Sequence, residues 1–453
     1  METLQRTANR GSVSTGPYQI DNSLKFDSSN SEYLYITRDV SSTGSRTTAT
    51  ISIWLKRTEL STLQYIFEQG NTDNDDGRFF ARFQTDDTLR IAGGSTTFLN
   101  TNRVFRDTSA WYHIVVTVSS ADSTADDRIK LYINGVQETS FGTRNNPSSS
   151  ATLGLNFQKQ TIGSSHVDST GYFAGYMTEI VGLDGTASAQ TSFGEFDSDS
   201  GIWIPKSVSA SGTNGFYLDF EDASNLGNDV SGGTDFTENN IAAADQATDT
   251  CTNNFATQNV LRQGSDRMPL MSEGATEIGN NVSAYRYSPA TIGVSKGKWY
   301  WEIKPTVNGN TLVSGAGIAS NETTLEFYGV TGNFVYHYDG DRYVNGSASS
   351  YGAAWATNDI IGFAYDADNW TLTAYVNNSS QGNLLASQTD ISSKLFIPYV
   401  YSFGTHTYQT NFGGYTTMSN THTNTDANGY GSFVYAPPTG YYAICTKNLA
   451  EFG

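Results

Sequence analysis

The sequence predicts an all-β protein built from two β-sandwiches. Short apolar runs alternate with turn-forming residues roughly every 8–12 residues, and no long segment has helical periodicity. Glycine supplies 44 of the 453 residues, and aromatic residues supply 13%. These values are typical of many short strands that are joined by tight turns and carry rings on their faces. The pattern argues against a helical bundle, a coiled coil and a disordered chain.

The chain carries few charges, and most of them are negative. Lysine and arginine total 26 and aspartate and glutamate 45, which gives a net charge of −19. Nucleic-acid binding needs clustered basic residues, so no nucleic-acid partner is expected. No stretch approaches the ~18 apolar residues of a membrane span, so no membrane insertion is expected. The first residues lack the apolar core of a secretory signal, which predicts synthesis in a cytoplasm.

The two cysteines, Cys251 and Cys445, are too few to staple a chain of this length. Since no oxidising route is implied, two reduced thiols are expected. A single bridge between them is the open alternative.

The first predicted sandwich spans residues 21–200 and follows a polar N-terminal arm, residues 1–20. The arm has no periodic pattern, and such an arm is normally frayed in a free monomer. Strand signals in the sandwich lie at residues 23–26, 33–36, 51–56, 65–67, 78–83, 111–118, 129–133 and 172–181. Asn134-Gly135 is a two-residue hairpin turn signal.

The second predicted sandwich spans residues 271–414, between a bridging segment, residues 201–270, and a C-terminal tail, residues 415–453. Its strand signals lie at residues 298–303, 334–338, 360–366, 371–376 and 396–400. The bridging segment is polar and glycine-rich. It is nevertheless expected to pack on the sandwiches, because its large aromatic side chains would otherwise be exposed.

Both sandwiches resemble known fold families. The first resembles a laminin-G-like (concanavalin-A-like) jelly roll, through ISIWLK (51–56), WYHIVVT (111–117), LYING (131–135) and FAGYMTEI (173–180). The second resembles a SPRY domain, through GKWYWEI (297–303), NDIIGFAYD (358–366), LTAYVN (372–377) and NFG (411–413). The resemblance implies two concanavalin-A-like sandwiches of families that bind glycans or proteins and mostly lack catalysis.

Four further phrases resemble modular virion proteins of marine bacteriophages: RGSVSTG (10–16), NGFYLDF (214–220), TNNFAT (252–257) and PPTGY (437–441). This resemblance implies a non-enzymatic virion protein that is assembled in the host cytoplasm. As a tail fibre or receptor-binding adhesin, it would engage a host-surface glycan or protein and dock to other virion proteins through the arm. A capsid decoration or head-fibre protein, a glycan hydrolase and a bacterial surface adhesin are the alternatives. Homo-oligomer formation stays open, since no heptad pattern imposes it.

Two motifs associated with catalysis are present, and neither is expected to act. Glu195, Asp197 and Asp199 would share one face of a strand, as acidic residues do in glucan hydrolases of the concanavalin-A-like fold. Their neighbours are serine and glycine at the exit of the sandwich, which favours a solvated loop. Ser295 matches G-x-S-x-G but precedes a strand, whereas a nucleophile elbow needs a helix after the serine.

Metal binding has one candidate, a calcium site at Asp73, Asp75 and Asp76. This loop packs several oxygen ligands together, although no glutamate follows at the distance of a twelve-residue calcium loop. A plain polar turn is the alternative interpretation. The five histidines have no metal-ligand spacing, and His113 is expected to be a hydrogen-bonded core residue. No other cofactor is predicted.

The predicted binding surface is an aromatic hairpin in the second sandwich. Its residues are Tyr336, Tyr338, Asp341, Arg342 and Tyr343. Tyrosine rings offer apolar faces and a polar edge to sugars or proteins. Strand alternation would bury about half of them, and Arg342 is the residue expected to be least buried.

Overall fold

The fold is nearly all β, as predicted, with 46% strand and 5% helix. The computed structural model describes residues 18–39, 44–71, 77–156, 158–168, 170–210, 212–261, 270–308, 313–321, 331–386 and 395–453. The chain divides into two compact units, whose described parts lie within residues 18–252 and 253–453. Within the described residues, no helix has the length and apolarity that crossing a membrane requires.

The first unit contains two large antiparallel sheets and a small hairpin. Its strands are β1 (Ser23–Phe26), β2 (Tyr33–Thr37), β3 (Thr48–Arg57), β4 (Gln64–Gly70), β5 (Phe79–Phe83), β6 (Thr88–Gly93), β7 (Thr96–Val104), β8 (Tyr112–Ser119), β9 (Ile129–Ile133), β10 (Val136–Gln137), β11 (Phe141–Arg144), β12 (Lys159–Ile162), β13 (Gly175–Asp184), β14 (Gly194–Phe196), β15 (Trp203–Pro205), β16 (Phe216–Leu218), β17 (Thr237–Asn239) and β18 (Gln246–Ala247). Sheet 1 has the order β10-β9-β8-β3-β13-β1-β18, with β16 paired to β13. Sheet 2 has the order β11-β7-β6-β5-β4-β12-β2-β17, and β14 pairs with β15.

Strand alternation builds the core of the first unit. In β3, Ile51, Ile53 and Leu55 point into one hydrophobic cluster that also receives alternate residues of sheet 2. In β6, Leu89 and Ile91 enter the same cluster. Residues between these positions therefore face away from the core, and this fact positions the candidate site below.

The segment predicted as a bridge contributes strands to the first unit. Its strand β16 pairs with β13, β17 with β2 and β18 with β1. The boundary between the two units falls at residues 252/253, inside the segment. Its aromatic side chains are buried, namely Trp203, Phe220, Phe236 and Phe255.

The described end of the N-terminal arm is tied to the first unit, whereas residues 1–17 lie outside the described residues. The Ile20 backbone N–H donates to Thr252 Oγ1 (3.1 Å), and the Tyr18 hydroxyl donates to Glu179 Oε2 (2.9 Å). The Tyr217 hydroxyl donates to the same carboxylate oxygen (2.7 Å). Burial raises the pKa of Glu179 to about 7.

The second unit also contains two antiparallel sheets. Its strands are β19 (Leu270–Ser272), β20 (Glu277–Asn280), β21 (Tyr285–Pro289), β22 (Lys298–Asn308), β23 (Val313–Ser320), β24 (Asn333–His337), β25 (Asp341–Val344), β26 (Ser347–Ser350), β27 (Ile361–Asp366), β28 (Thr371–Val376), β29 (Ser379–Ala386), β30 (Phe396–Phe403), β31 (His406–Asn411) and β32 (Tyr442–Ala443). Sheet 3 has the order β19-β20-β31-β22-β27-β28-β29, with β32 paired parallel to β22. Sheet 4 has the order β21-β30-β23-β24-β25-β26. A short helix, Thr446–Phe452, follows β32.

A buried carboxylate holds the C-terminal tail on the second unit. On β22, Trp299 and Trp301 enter the core, and Glu302 lies on the opposite face with no exposed area. Glu302 accepts hydrogen bonds from the backbone N–H groups of residues 434 (2.9 Å) and 435 (2.8 Å). It also accepts bonds from Tyr300 (3.1 Å) and Asn411 (3.2 Å). Burial raises the pKa of Glu302 to about 7. The hydrogen bonds act in the opposite direction and lower the pKa, but burial outweighs them.

The cysteines are unbridged. Cys251 in the first unit and Cys445 in the second are both buried free thiols, as the sequence predicted. Each unit is therefore held by sheet packing and polar contacts without a disulfide.

Candidate functional site

The predicted aromatic hairpin is only partly available at the surface. Tyr336 has no exposed area and belongs to the core of the second unit, so its place in the predicted binding surface was wrong. Its ring meets Trp355 edge to face at 5.1 Å, and its hydroxyl donates to the Ala353 carbonyl. Tyr338, Asp341 and Tyr343 stay partly exposed.

Arg342 of this hairpin is partly exposed but already bound. Its Nε donates to Ser349 Oγ (3.1 Å), and Nη1 donates to the carbonyls of Asn383 (3.0 Å) and Leu384 (3.1 Å). The guanidinium lies 5.7 Å from the Tyr351 ring centroid. Arg342 therefore fastens β25 to β26 and β29, and few of its donors remain for a ligand.

The predicted calcium loop cannot be placed, because Asp73, Asp75 and Asp76 lie outside the described residues. Its described neighbour Asn71 accepts a hydrogen bond at its carbonyl oxygen from His166 Nε2 (2.8 Å). Calcium at this loop stays a prediction.

The two motifs associated with catalysis have structural surroundings. Glu195 on β14 is half exposed and pairs with Lys206 at 3.4 Å. Asp197 Oδ1 accepts the backbone N–H groups of residues 199 and 200, which closes a turn. Ser295 is followed by strand β22 instead of a helix. The strand after Ser295 agrees with the sequence prediction, whereas Glu195 lies on an exposed strand and not in the predicted loop.

His113 is a hydrogen-bonded core residue. Trp203 Nε1–H donates to His113 Nδ1 (2.8 Å), so the ring proton resides on Nε2, which lies 2.8 Å from Ser52 Oγ. Burial lowers the pKa of His113 to about 3. Since Nε2 carries the proton, the ring has no lone pair with which to deprotonate Ser52.

A polar and aromatic surface lies on the outer face of sheet 2, which the sequence analysis did not single out. Leu89 and Ile91 of β6 enter the core, so Arg90 between them faces outward. Alternation places Phe80 and Arg82 of β5 on the same face. We call this surface the arginine–tyrosine face. It comprises Tyr65, Arg78, Phe80, Arg82, Arg90 and Asp168.

One half of the arginine–tyrosine face is a closed hydrogen-bond network. Arg78 Nη1 contacts Asp168 Oδ2 (3.1 Å) and Glu68 Oε2 (3.4 Å). The Tyr65 hydroxyl donates to Asp168 Oδ2 (2.6 Å) and accepts from Arg82 Nη1 (2.5 Å). Burial would raise the pKa of Asp168, but the bonds from Tyr65 and Arg78 outweigh it, so the pKa lies below its usual value.

A close contact between a buried imidazole and a buried carboxylate extends this network below the surface. His166 Nδ1 lies 2.8 Å from Glu68 Oε1, and both side chains have no exposed area. Glu68 is thus shared between His166 and Arg78. Its charge is used within the network and is not presented to a ligand.

At the edge of this network, two arginines carry positive charge without an ion pair to any described carboxylate. Arg82 and Arg90 are direct cross-strand partners on β5 and β6. Arg82 bonds to the neutral groups of Tyr65 and Gln84. Arg90 makes no hydrogen bond or ion pair with any described residue, and its Nε is buried. Burial, followed by repulsion from Arg82, lowers the pKa of Arg90.

A cluster of tyrosine rings lies on the same outer face, on strands β2 and β12 and the loop before β13. Tyr33 stacks on Tyr172 at 6.0 Å and lies 5.8 Å from Tyr35, and Lys159 Nζ lies 5.6 Å from the Tyr35 ring centroid. All three rings are partly exposed. We call Tyr33, Tyr35, Tyr172 and Lys159 the tyrosine platform.

Two strands of the sequence carry a signal for this site. Arg82 lies in FFARF and Arg90 in TLRIAG, where each arginine stands between two core residues. A charged residue between two inward-facing positions of a strand must lie on the outer face. The pairing of β5 with β6, which sets the two arginines opposite each other, is not readable from either strand alone.

Comparison with known proteins supports the fold. Residues 28–191 match the family model described as the concanavalin A-like lectin/glucanases superfamily. Among solved structures, the chain is similar to the SPRY domain of human HERC1, with 16% identity over 30% of this chain and 87% of that chain and a TM-score of 0.27. It is also similar to the PSpry domain of TRIM65, with 12% identity over 34% and 88% and a TM-score of 0.28. A heptameric SAP-like pentraxin from Limulus polyphemus shares 15% identity over 37% and 78%, with a TM-score of 0.29. The family match lies within the first unit and is consistent with its concanavalin-A-like fold.

Proposed function

We propose that the chain is a non-enzymatic glycan-binding protein whose binding surface is the outer face of sheet 2. The observation that carries the proposal is the tyrosine platform, three partly exposed rings held side by side on a rigid sheet. Tyrosine rings present apolar faces with a polar tip and lose little entropy on binding, which suits the mixed apolar and hydroxylated surface of a sugar.

The carboxylates on this face favour binding over hydrolysis. A glycoside hydrolase of the usual type needs a general acid with a raised pKa and a second carboxylate that reaches the sugar. Asp168 has a lowered pKa and is bound to Tyr65 and Arg78. Glu68 is fully buried and paired with His166. Neither arrangement supplies a proton donor at the surface.

The biological setting that we propose is a bacteriophage virion assembled in the host cytoplasm. There the chain would act as a tail fibre or receptor-binding adhesin that engages a host-surface glycan or protein. This part rests on the sequence phrases that resemble marine phage virion proteins. The N-terminal arm, residues 1–20, would dock to other virion proteins, and the acidic surface would limit self-association of the many copies in a particle. A capsid decoration protein is the alternative, and tens to hundreds of copies on the shell in a map of the particle would establish it.

Glycan-array screening of the full chain tests the binding function. Removal of one ring by Tyr33→Ala should weaken binding about tenfold, because a central aromatic contact contributes about 1.4 kcal/mol or more. Tyr338→Ala in the hairpin of the second unit is the matched control and should leave binding unchanged. A reversed result would place the sugar on the second unit, and product release from any bound glycan would reveal an enzyme.

A further inference from the structure

We propose that Arg82 and Arg90 form an anion-binding subsite that selects glycans bearing carboxylate groups, such as chains of uronic acid. The inference rests on the proposed function, since the same outer face supplies the sugar-binding rings. It adds the chemical class of the ligand.

The balance of charge around the two arginines carries the proposal. Arg78 has Glu68 and Asp168 as partners, whereas the bonds of Arg82 end on the neutral groups of Tyr65 and Gln84. Arg90 has no partner among the described residues. In a chain of net charge −19, acidic side chains are plentiful, yet within the described residues neither arginine forms an ion pair. Arg82 acts on the charge of Asp168 without a direct bond to it.

The pairing of the strands makes the arrangement unfavourable without a ligand. Arg82 and Arg90 lie directly opposite each other, and like charges in that position destabilise a sheet. A buried donor without an acceptor is unfavourable as well, and Arg90 Nε is such a donor. An anion at the guanidinium groups would relieve the repulsion and accept the N–H groups at the tip of Arg90.

The guanidinium groups are held in place before a ligand arrives. The Arg82 and Arg90 guanidinium carbons lie 5.2 Å and 5.9 Å from the centroid of the Phe80 ring, which has almost no exposed area. Arg82 is further fixed by Tyr65 and Gln84. Pre-organised donors lose less entropy on binding, so a small anionic group is enough to engage them.

The chemistry of the face favours a carboxylate on a sugar over other anions. A guanidinium matches the planar, two-oxygen geometry of a carboxylate. The tyrosine platform lies four strands away from Arg90 on the same sheet, about 19 Å at ordinary strand spacing, and offers ring faces for other sugars of the same chain. The net charge of −19 repels long, dense polyanions, which favours a ligand engaged through a few acidic groups.

The test is a calorimetric titration of the full chain with four probes of similar length. These are an oligouronate, a neutral dextran oligomer, a sulfated dextran oligomer and oligoglutamate. The main variant is Arg90→Gln, because Arg90 makes no hydrogen bond or ion pair with any described residue. Arg103→Gln is the matched control, since Arg103 is 48% exposed and already paired with Glu138. Thermal unfolding of each variant checks that the fold is kept.

The expected result is oligouronate binding that weakens about tenfold or more in Arg90→Gln, as expected for a lost charge-assisted hydrogen bond. Arg103→Gln should bind like the wild type, and added salt should weaken wild-type binding.

Tighter binding of the sulfated probe than of the oligouronate would overturn the carboxylate preference. Binding of oligoglutamate as tight as that of the oligouronate would overturn the assignment of a glycan ligand. Dextran binding without any effect of Arg90→Gln would overturn the subsite and keep the proposed function. Binding of no saccharide at all would overturn both.

Discussion

Arg90 in the first unit and Arg342 in the second are both partly exposed arginines on β-strands, and their hydrogen bonds set them apart. Arg342 donates to Ser349 and to two backbone carbonyls, whereas Arg90 donates to none of the described residues. Judged by exposure alone, the two arginines would be equally good candidates for a binding site. The comparison shows that an arginine indicates a binding site only when its donors are not already used by the fold.

Tyrosines on sheet 4 of the second unit and on sheet 2 of the first unit differ in their exposure. On sheet 4, Tyr287, Tyr399 and Tyr401 are at most 2% exposed. On sheet 2, the rings of the tyrosine platform are partly exposed and stack on one another. Sheet 4 therefore uses these three tyrosines for packing, whereas sheet 2 keeps the rings of the tyrosine platform at a surface.

The largest expected effect concerns Glu302, which accepts four hydrogen bonds within the second unit. Glu302→Ala should lower the free energy of unfolding of that unit by about 3–5 kcal/mol at pH 5, because it leaves four hydrogen-bond donors without an acceptor. Urea titration followed by fluorescence measures the loss. Glu195→Gln, a half-exposed residue with one surface ion pair, is the control and should change the free energy by less than about 0.5 kcal/mol. A loss below about 1 kcal/mol for Glu302→Ala would show that the tail is held by other contacts.

The same residue predicts an unusual dependence on pH. The pKa of Glu302 is raised from 4.5 to about 7 in the folded chain, so between these values the folded state retains a proton that the unfolded state loses. Stability from this group is fully present below pH 4.5 and falls as pH rises to 7. The difference in the free energy of unfolding between wild type and Glu302→Ala should therefore narrow by about 3 kcal/mol between pH 4.5 and pH 7. Urea titrations at pH 4.5, 6 and 7.5 check this, and a constant difference would contradict the raised pKa.

Replacement of Arg342 should lower the stability of the protein more than replacement of Arg90. Arg342→Gln should lower the free energy of unfolding by about 1–3 kcal/mol, since it removes bonds to two backbone carbonyls and a serine. Arg90→Gln should change it by less than about 0.5 kcal/mol, or raise it, because it relieves repulsion from Arg82. Thermal and urea unfolding of both variants, side by side, measures this. Equal losses would mean that Arg90 also has a structural role.

A smaller loss than that of Arg342→Gln is expected in the core of the first unit. Trp203→Phe removes the N–H that donates to His113 Nδ1 and should lower the free energy of unfolding by about 1–2 kcal/mol. Nitrogen NMR of the wild-type imidazole should show the proton on Nε2 throughout pH 5–8, since the pKa of His113 is about 3. An imidazolium signal near pH 6 would contradict this assignment.

The fold could be predicted because its signals are local. The Asn134-Gly135 turn joins β9 to β10 as predicted, and both residues have positive φ, 47° and 78°. The run beginning at Lys298 forms β22, as its alternation indicated. These features depend only on neighbours in sequence, which the pattern records directly.

The site could not be predicted in the same way, because it depends on pairing between strands. The sequence favoured Tyr336 for its aromatic neighbours, but alternation along β24 turns that ring into the core. Arg82 and Arg90 become a pair only through the register of β5 with β6. That register is set by the packing of the whole sheet, and neither strand encodes it alone.

A crystal structure of the full chain with a bound oligouronate is the most direct test of glycan binding on the outer face of sheet 2. We expect sugar density on the outer face of sheet 2. A carboxylate of the ligand should lie within hydrogen-bond distance of Arg90, and a sugar ring of the same ligand should lie over Tyr33 or Tyr35. Sugar bound instead at Tyr338 and Tyr343 of the second unit, with the outer face of sheet 2 empty, would contradict it.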